Sequence, residues 1–241
     1  MNPPSFSQNG VPQRPAPEMA ARLSEWLSGP RSRALRRAQI GLRRSVLEIG
    51  AGHCVVTPEL QRRARGPVVS IDISPSAAAV DSEAVAADGC ALPFRDACFD
   101  LVFFQNTLLW IADFEAAIAE AVRVLAPAGV LVAIEPDYGG MIEHPDLGLQ
   151  AMWVTGLTEV GGDPYIGRKL PAACQQHLQV HVELAHLPRR AEPDAARLLF
   201  DLPLHDTDRQ KLDGIIKRLE TSTGWQHFVH VPYFLIVAEK T

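Results

Sequence analysis

The residues best equipped for chemistry sit in two short stretches. Glu48, Gly50 and Gly52 fall within VLEIGAGHC (Val46 to Cys54), and Asp72 falls within SIDIS (Ser70 to Ser74) about one β-α unit later. An apolar run ending in Glu48-Ile49-Gly50-Ala51-Gly52 is a strand that stops at a glycine turn before a helix, the place where an α/β sheet receives a nucleotide-like cofactor. Gly50 and Gly52 lack a Cβ, so backbone there can turn tightly and approach a ligand. Asp72 closes the next apolar run (Val68, Val69, Ile71), where a carboxylate accepts hydrogen bonds from a ribose diol. A nicotinamide cofactor would want glycine or alanine three residues after the second glycine, and Val55 stands there. Glu48 directs a carboxylate at the loop, which repels a pyrophosphate and suits a ligand carrying an ammonium and a sulfonium, such as S-adenosylmethionine.

With these residues the sequence resembles the class I methyltransferases that use S-adenosylmethionine, specifically the broad small-molecule group called type 11, from about Ser45 to Asp137. Asp88, in AADGCALPF, falls on the acid that reads the adenine amine. FDLVFFQNTLLW from Phe99 matches the fourth strand and active-site edge, and RVLAPAGVLVAIEPD from Arg123 matches the helix, turn and fifth strand. The resemblance implies a cofactor site made of Glu48, Gly50, Gly52, Asp72, Ile73, Asp88, Gly89 and Gln105. Two departures stand out. Cys54 occupies the place of the usual third glycine, so the turn is made with two. The stretch from Ser74 to Asp88 has room for only about one or two helical turns, which leaves the adenine side more open than usual.

Methyl transfer from a sulfonium is an in-line displacement, so the protein mainly positions the nucleophile and excludes water. The catalytic candidates are Gln105 and Asn106, immediately after the fourth strand, and Tyr138, which follows the fifth with Glu135 and Asp137. Gln105 and Asn106 either serve the reaction or cap the following turn. One of Glu135, Asp137 and Tyr138 orients or deprotonates a substrate hydroxyl, or Pro136 and its acids simply end the strand. Trp110 walls a pocket or belongs to the core. Arg168 and Lys169 bind an anionic group or open a solvated helix. The eight histidines include no pair placed for metal: His227 and His230 face opposite sides of a predicted strand, as do His181 and His186.

The elements that must position these residues alternate, with strands expected near 45–49, 68–72, 84–87, 99–104 and 130–135 and helices near 55–65 and 114–125. Pro17 to Ser28 and Pro30 to Leu42 read as two helices parted at Gly29-Pro30. After Asp137 a glycine-rich segment to Lys169 reads as a substrate-side loop with a helix near 147–158. A helix over 170–177, a strand over 180–187, helices over 192–200 and 206–221, and a closing strand over 228–239 follow. The fold expected is α/β: a Rossmann-like, mostly parallel seven-stranded sheet with an antiparallel final strand. Helices cover both faces, with N-terminal helices and a helical insertion before the last strand.

The chain has 241 residues, 47% hydrophobic and 21% charged, a size and composition suited to one globular domain over 17–241 behind a disordered arm at 1–16. A net charge of -5 argues against a nucleic-acid surface as the main function. Against it stands a stretch of arginines at 31, 33, 36, 37, 43 and 44, read as a solvated helix face or a contact for an anion or RNA. Four cysteines with no C-x-x-C pair indicate neither zinc nor a disulfide framework, and reduced thiols point to the cytoplasm. No apolar run approaches a membrane span. The expected activity is methyl transfer to a small organic acceptor. An RNA or protein methyltransferase, a silent cofactor-binding module and a nicotinamide oxidoreductase are the alternatives. Met141, Leu147, Leu149, Met152, Trp153, Leu157 and Tyr165, with Trp26 and Leu27 as a lid, are expected to enclose an apolar acceptor.

Overall fold

The computed structural model describes residues 17–74, 84–185 and 189–241. The arm expected at 1–16 lies outside the described residues, as does most of the stretch expected to hold the short helical turns before Asp88. Ten strands are described: β1 (Val46–Ile49), β2 (Val68–Asp72), β3 (Ala84–Ala86), β4 (Phe99–Gln105), β5 (Leu125–Pro136), β6 (Ile142–His144), β7 (Gln179–Ala185), β8 (Arg189–Arg190), β9 (Phe228–His230) and β10 (Tyr233–Glu239). Seven of them form one sheet in the order β3-β2-β1-β4-β5-β10-β7. The pairings from β3 through β5 are parallel, and β10 runs antiparallel to both β5 and β7. Sheet order reverses between β1 and β4, so the carboxyl ends of these two strands flank the crevice in which open α/β sheets bind ligands.

The helices are α1 (Pro17–Trp26), α2 (Ser28–Arg37), α3 (Thr57–Arg63), α4 (Phe114–Val124), α5 (Leu149–Glu159), α6 (Ile166–Gln175), α7 (Pro193–Arg197) and α8 (Asp206–Thr221). Every residue of β1 is buried and β4 is buried at five of its seven positions, as expected of central strands covered on both faces. Phe103 and Phe104 point to opposite faces and anchor two separate clusters. One holds Ile118, Leu131 and Leu170, and the other holds Leu35, Leu60 and Leu235. Each such side chain contributes roughly 1.5–3 kcal/mol by leaving water. Asp113 caps α4 by accepting from Ala116 N at 2.9 Å, which fixes the start of the helix behind β4.

Four expectations need correction. The break between the first two helices falls at Leu27, not at Gly29-Pro30, because proline needs no N–H donor in the first turn and Pro30 sits there comfortably. The second helix ends at Arg37, where left-handed Gln39 (φ 52°) precedes a 3₁₀ turn at Ile40–Leu42. The helix expected from Leu170 starts at Ile166 and carries Pro171 inside it, held by burial of Ile166, Leu170 and Cys174. The closing strand is interrupted after His230. Proline at 232 cannot donate to a ladder, and the piece before it, β9, pairs instead with β6 and β8 in a separate sheet. β6 and β8 are too short to show an alternating pattern in sequence.

Candidate active site

The turn after β1 is built on left-handed backbone at three places: Gly50 (φ 78°), Gly52 (φ 57°) and Cys54 (φ 55°). Cys54 therefore adopts the conformation that its glycine-like position demands, and it does so with its side chain buried. A Cβ on Gly50 would lie 2.2 Å from Thr107 Cγ2, so the glycine lets the β1 turn close against the residues after β4. At Gly52 a Cβ would meet nothing within 4 Å: this face of the turn is open.

Asp72 is buried at the end of β2 and ties the cleft together. Its Oδ2 accepts from Gly52 N at 2.8 Å and its Oδ1 from Ser74 N at 2.9 Å. Ile73 beside it is 61% exposed. After β3, Asp88 is exposed and accepts from Cys90 N at 2.8 Å, while Gly89 packs near Ile49 and Ile111. The open face of Gly52, Asp72 and the exposed Ile73 and Asp88 thus share one sheet edge, an arrangement that fits an adenosine-bearing ligand.

Glu48 is placed differently from expectation. It is 3% exposed, and its Oε2 accepts from the hydroxyls of Thr57 at 2.5 Å and Ser70 at 2.7 Å, beneath the turn. Register explains this: Glu48 pairs with Ser70, so the two side chains lie on one face of the sheet. Burial pushes its carboxyl above the usual range, against the opposing effect of the two hydroxyls. Thr57 accordingly joins α3 to β1.

At the end of β4, Gln105 Oε1 accepts from Arg31 Nη1 at 3.1 Å, and Asn106 takes left-handed backbone (φ 51°). Glu135, fully buried at the end of β5, accepts at Oε1 from Thr107 N (2.8 Å) and Leu108 N (3.0 Å), whereas its Oε2 has no hydrogen-bond partner. Desolvation raises its carboxyl to about 7 despite these donors. Its place is therefore beneath the turn after β4, which it pins. Tyr138 stacks on Trp153 (centroids 4.7 Å apart, 19° between planes), and burial, then the Glu135 charge, holds its phenol well above the usual range. It stays protonated and can orient an acceptor without serving as base. Asp137 accepts from Arg168 Nε at 2.8 Å, and Lys169 pairs with Asp163, so neither cation is a free anion site. Trp110 is 38% exposed, outside the core.

Beside this edge lies an apolar cavity of about 100 Å³. Leu23, Trp26 and Leu27 close it from the α1 side, Tyr138, Met141, Leu149 and Trp153 from the segment after β5, and Val229 and Tyr233 from the C-terminal strands. The expected enclosure is thus corrected in part: Met152 and Leu157 belong to the main core, Leu147 packs against that core, and Tyr165 lies under the Arg168 guanidinium at 5.2 Å. The arginine stretch is divided as well. Arg33 pairs with Glu183 on the surface, but Arg31 is 4% exposed and reaches Ser24, Glu59 and Gln105. Nothing in its sequence neighbourhood separated Arg31 from the solvated arginines; only its i-to-i+4 spacing from buried Leu27 and Leu35 hinted at an inward face. Among the described residues no group of three His, Cys, Asp or Glu side chains is placed to hold a metal ion, and no helix is long and apolar enough to cross a membrane.

A parallel sheet reversing between β1 and β4, a glycine turn open to solvent and an acid ending β2 define a Rossmann-like enzyme with a nucleoside cofactor. The family model described as "Methyltransferase domain" matches residues 47–133. A demethylmenaquinone methyltransferase of Mycobacterium marinum is 34% identical over 174 residues, covering 69% of this chain and 68% of that protein. Among solved structures, the YcgJ protein of Bacillus subtilis has a TM-score of 0.63 at 14% identity, over 87% of this chain and 97% of that one. The N-methyltransferase NodS of Bradyrhizobium japonicum, in complex with S-adenosyl-L-homocysteine, has a TM-score of 0.56 at 15% identity, over 89% and 87%. The chain belongs to the class I S-adenosylmethionine-dependent methyltransferases.

Proposed function

We propose that residues 17–241 act as one domain that transfers a methyl group from S-adenosylmethionine to a small, largely apolar organic acceptor bound in the cavity behind α1. The observation that carries this reading is the cavity itself, lined by Trp26, Tyr138, Met141 and Trp153 beside the end of β5. Bound cofactor supplies the transferable methyl on its sulfonium. Asp72 reads the ribose diol, the open backbone at Gly52 and the side chain of Ile73 flank the nucleoside, and Asp88 with Gly89 meets the adenine. Glu48 acts from below by holding Thr57 and Ser70, which shape the turn. Tyr138 lines the acceptor cavity, where it donates a hydrogen bond and the apolar walls exclude water, while Gln105, which ends β4, meets the cofactor and Asn106 after it stands between cofactor and acceptor. The curated relative's name points to a quinone-ring acceptor; a planar ring suits the stacked Tyr138 and Trp153.

The test has two arms. A ligand at about 100 times its dissociation constant adds roughly 2.7 kcal/mol of stability, so S-adenosylhomocysteine should raise the melting temperature and NAD should not. Methyl label should then pass into a metabolite extract, and Asn106→Ala or Tyr138→Phe should lower turnover more than cofactor affinity. Equal stabilisation by NAD, or label entering RNA alone with steeply salt-dependent RNA binding, overturns the reading.

A further inference from the structure

Arg31 joins three parts of the molecule that carry different duties. Its Nη1 donates to the Ser24 carbonyl at 2.9 Å, to Ser24 Oγ at 3.2 Å and to Gln105 Oε1 at 3.1 Å. Its Nε and Nη2 both reach Glu59 Oε2 at 2.7 Å, in the first turn of α3. Ser24 is in the last turn of α1 and is itself buried; Trp26 and Leu27, two and three residues on, line the cavity. A guanidinium only donates, so it selects the oxygen of the Gln105 amide and leaves that amide's NH₂ to donate elsewhere. A lysine would present its donors from a single nitrogen on a flexible stem and lacks the planar fork that reaches these separated acceptors through Nε, Nη1 and Nη2.

We propose that Arg31 is a positioning residue that couples the seating of α1 over the acceptor cavity to ligand binding at the end of β4. This rests on the methyltransferase reading of the cleft. A second polar attachment of α1 is peripheral: Arg22 pairs with Asp194 and, at 3.6 Å, with Glu192, all on the surface where salt screens them. The Arg31 link is buried at Ser24 and part-buried at Gln105 and Glu59, so salt screens it much less. Glu59 is shared with Arg63, which donates to it at 2.7 Å, so the Arg31 side chain is gripped on its α3 side and transmits restraint between Gln105 and Ser24. A ligand that orders Gln105 therefore orders the last turn of α1 through one side chain.

The coupling is read by amide hydrogen exchange of the full chain at about 0.15 M salt, with and without S-adenosylhomocysteine at about 100 times its dissociation constant for each protein. In the wild type, amides 22–26 should exchange at least about fivefold more slowly with ligand. Arg31→Lys should bind the ligand and lose this protection. Gln105→Met, which leaves the Arg31 bonds to Glu59 and Ser24 in place and so does not depend on Arg31→Lys folding, should lose it too. Gln105→Glu, which keeps an acceptor for Arg31, should retain it. Protection that persists in Gln105→Met, or a wild type that binds S-adenosylhomocysteine without protecting α1, overturns the coupling. A wild type that does not bind S-adenosylhomocysteine overturns the cofactor reading instead.

Discussion

Glu135 offers a quantitative test of how the end of β5 is built. In the fold its carboxyl is raised from 4.5 to about 7, chiefly by burial, while the N–H groups of Thr107 and Leu108 favour the ionised form. An acid with a raised folded-state value contributes stability that is fully present below the unfolded value and is lost as pH climbs through the folded one. The window here runs from pH 4.5 to about 7. The displacement is worth about 3 kcal/mol, an order-of-magnitude figure. In Glu135→Gln the amide oxygen still accepts from Thr107 and Leu108, but the amide nitrogen replaces Oε2, which has no partner. That buried donor costs about 1–3 kcal/mol, and the protonated carboxyl of the wild type carries an equivalent O–H at the same place, so the cost is common to both proteins below about pH 7. Urea unfolding at pH 5, 6, 7 and 8 should therefore find the two proteins close in stability at pH 5 and the variant the more stable by pH 8, by up to about 3 kcal/mol. The raised value of Glu48 acts equally in both proteins and cancels from the difference. Parallel stability profiles from pH 5 to 8 would refute the assignment of a buried, reluctantly ionised Glu135.

Asp72→Ala should abolish most of the melting shift caused by S-adenosylhomocysteine and also lower the melting temperature of the ligand-free protein, since two backbone N–H groups lose their acceptor at a cost of about 1–3 kcal/mol each at most. An unchanged ligand-free melt would show that the carboxylate does not hold the turn. Cys54→Gly should leave stability within about 1 kcal/mol of wild type, because release of left-handed strain offsets the lost side chain, whereas Cys54→Val should cost more than roughly 2 kcal/mol. Equal melting of the two variants would contradict the turn geometry. Gly50→Ala puts a Cβ 2.2–2.8 Å from the Thr107 side chain at a φ of 78° and should destabilise by roughly 3 kcal/mol or more, measured by denaturant unfolding.

The sequence alone determined the cofactor half of the fold. Periodicity, the two glycines and the acid after the second apolar run are local signals, and β1, β2, β4 and α4 stand within a residue or so of where those signals place them. Cys54 shows where such reading stops: the turn was expected to rest on two glycines, and the backbone adds a third left-handed residue at cysteine. The acceptor half was legible only in outline. Trp26, Met141 and Trp153 announce apolar surface, but whether each lines a cavity or fills the core depends on how α1, α5 and the small sheet of β6, β8 and β9 come together. Met152 went to the core and Trp153, the next residue on the same helix, to the cavity, a difference of about 100° around the helix that no composition records. Tertiary structure alone decided the state of the charges. Glu48 lies under the turn because strand register sets it beside Ser70, and Arg31 left its solvated neighbours because Ser24, Glu59 and Gln105, distant in the chain, converge around it. A carboxylate or guanidinium can be buried only where such partners meet it, and that meeting is a property of packing.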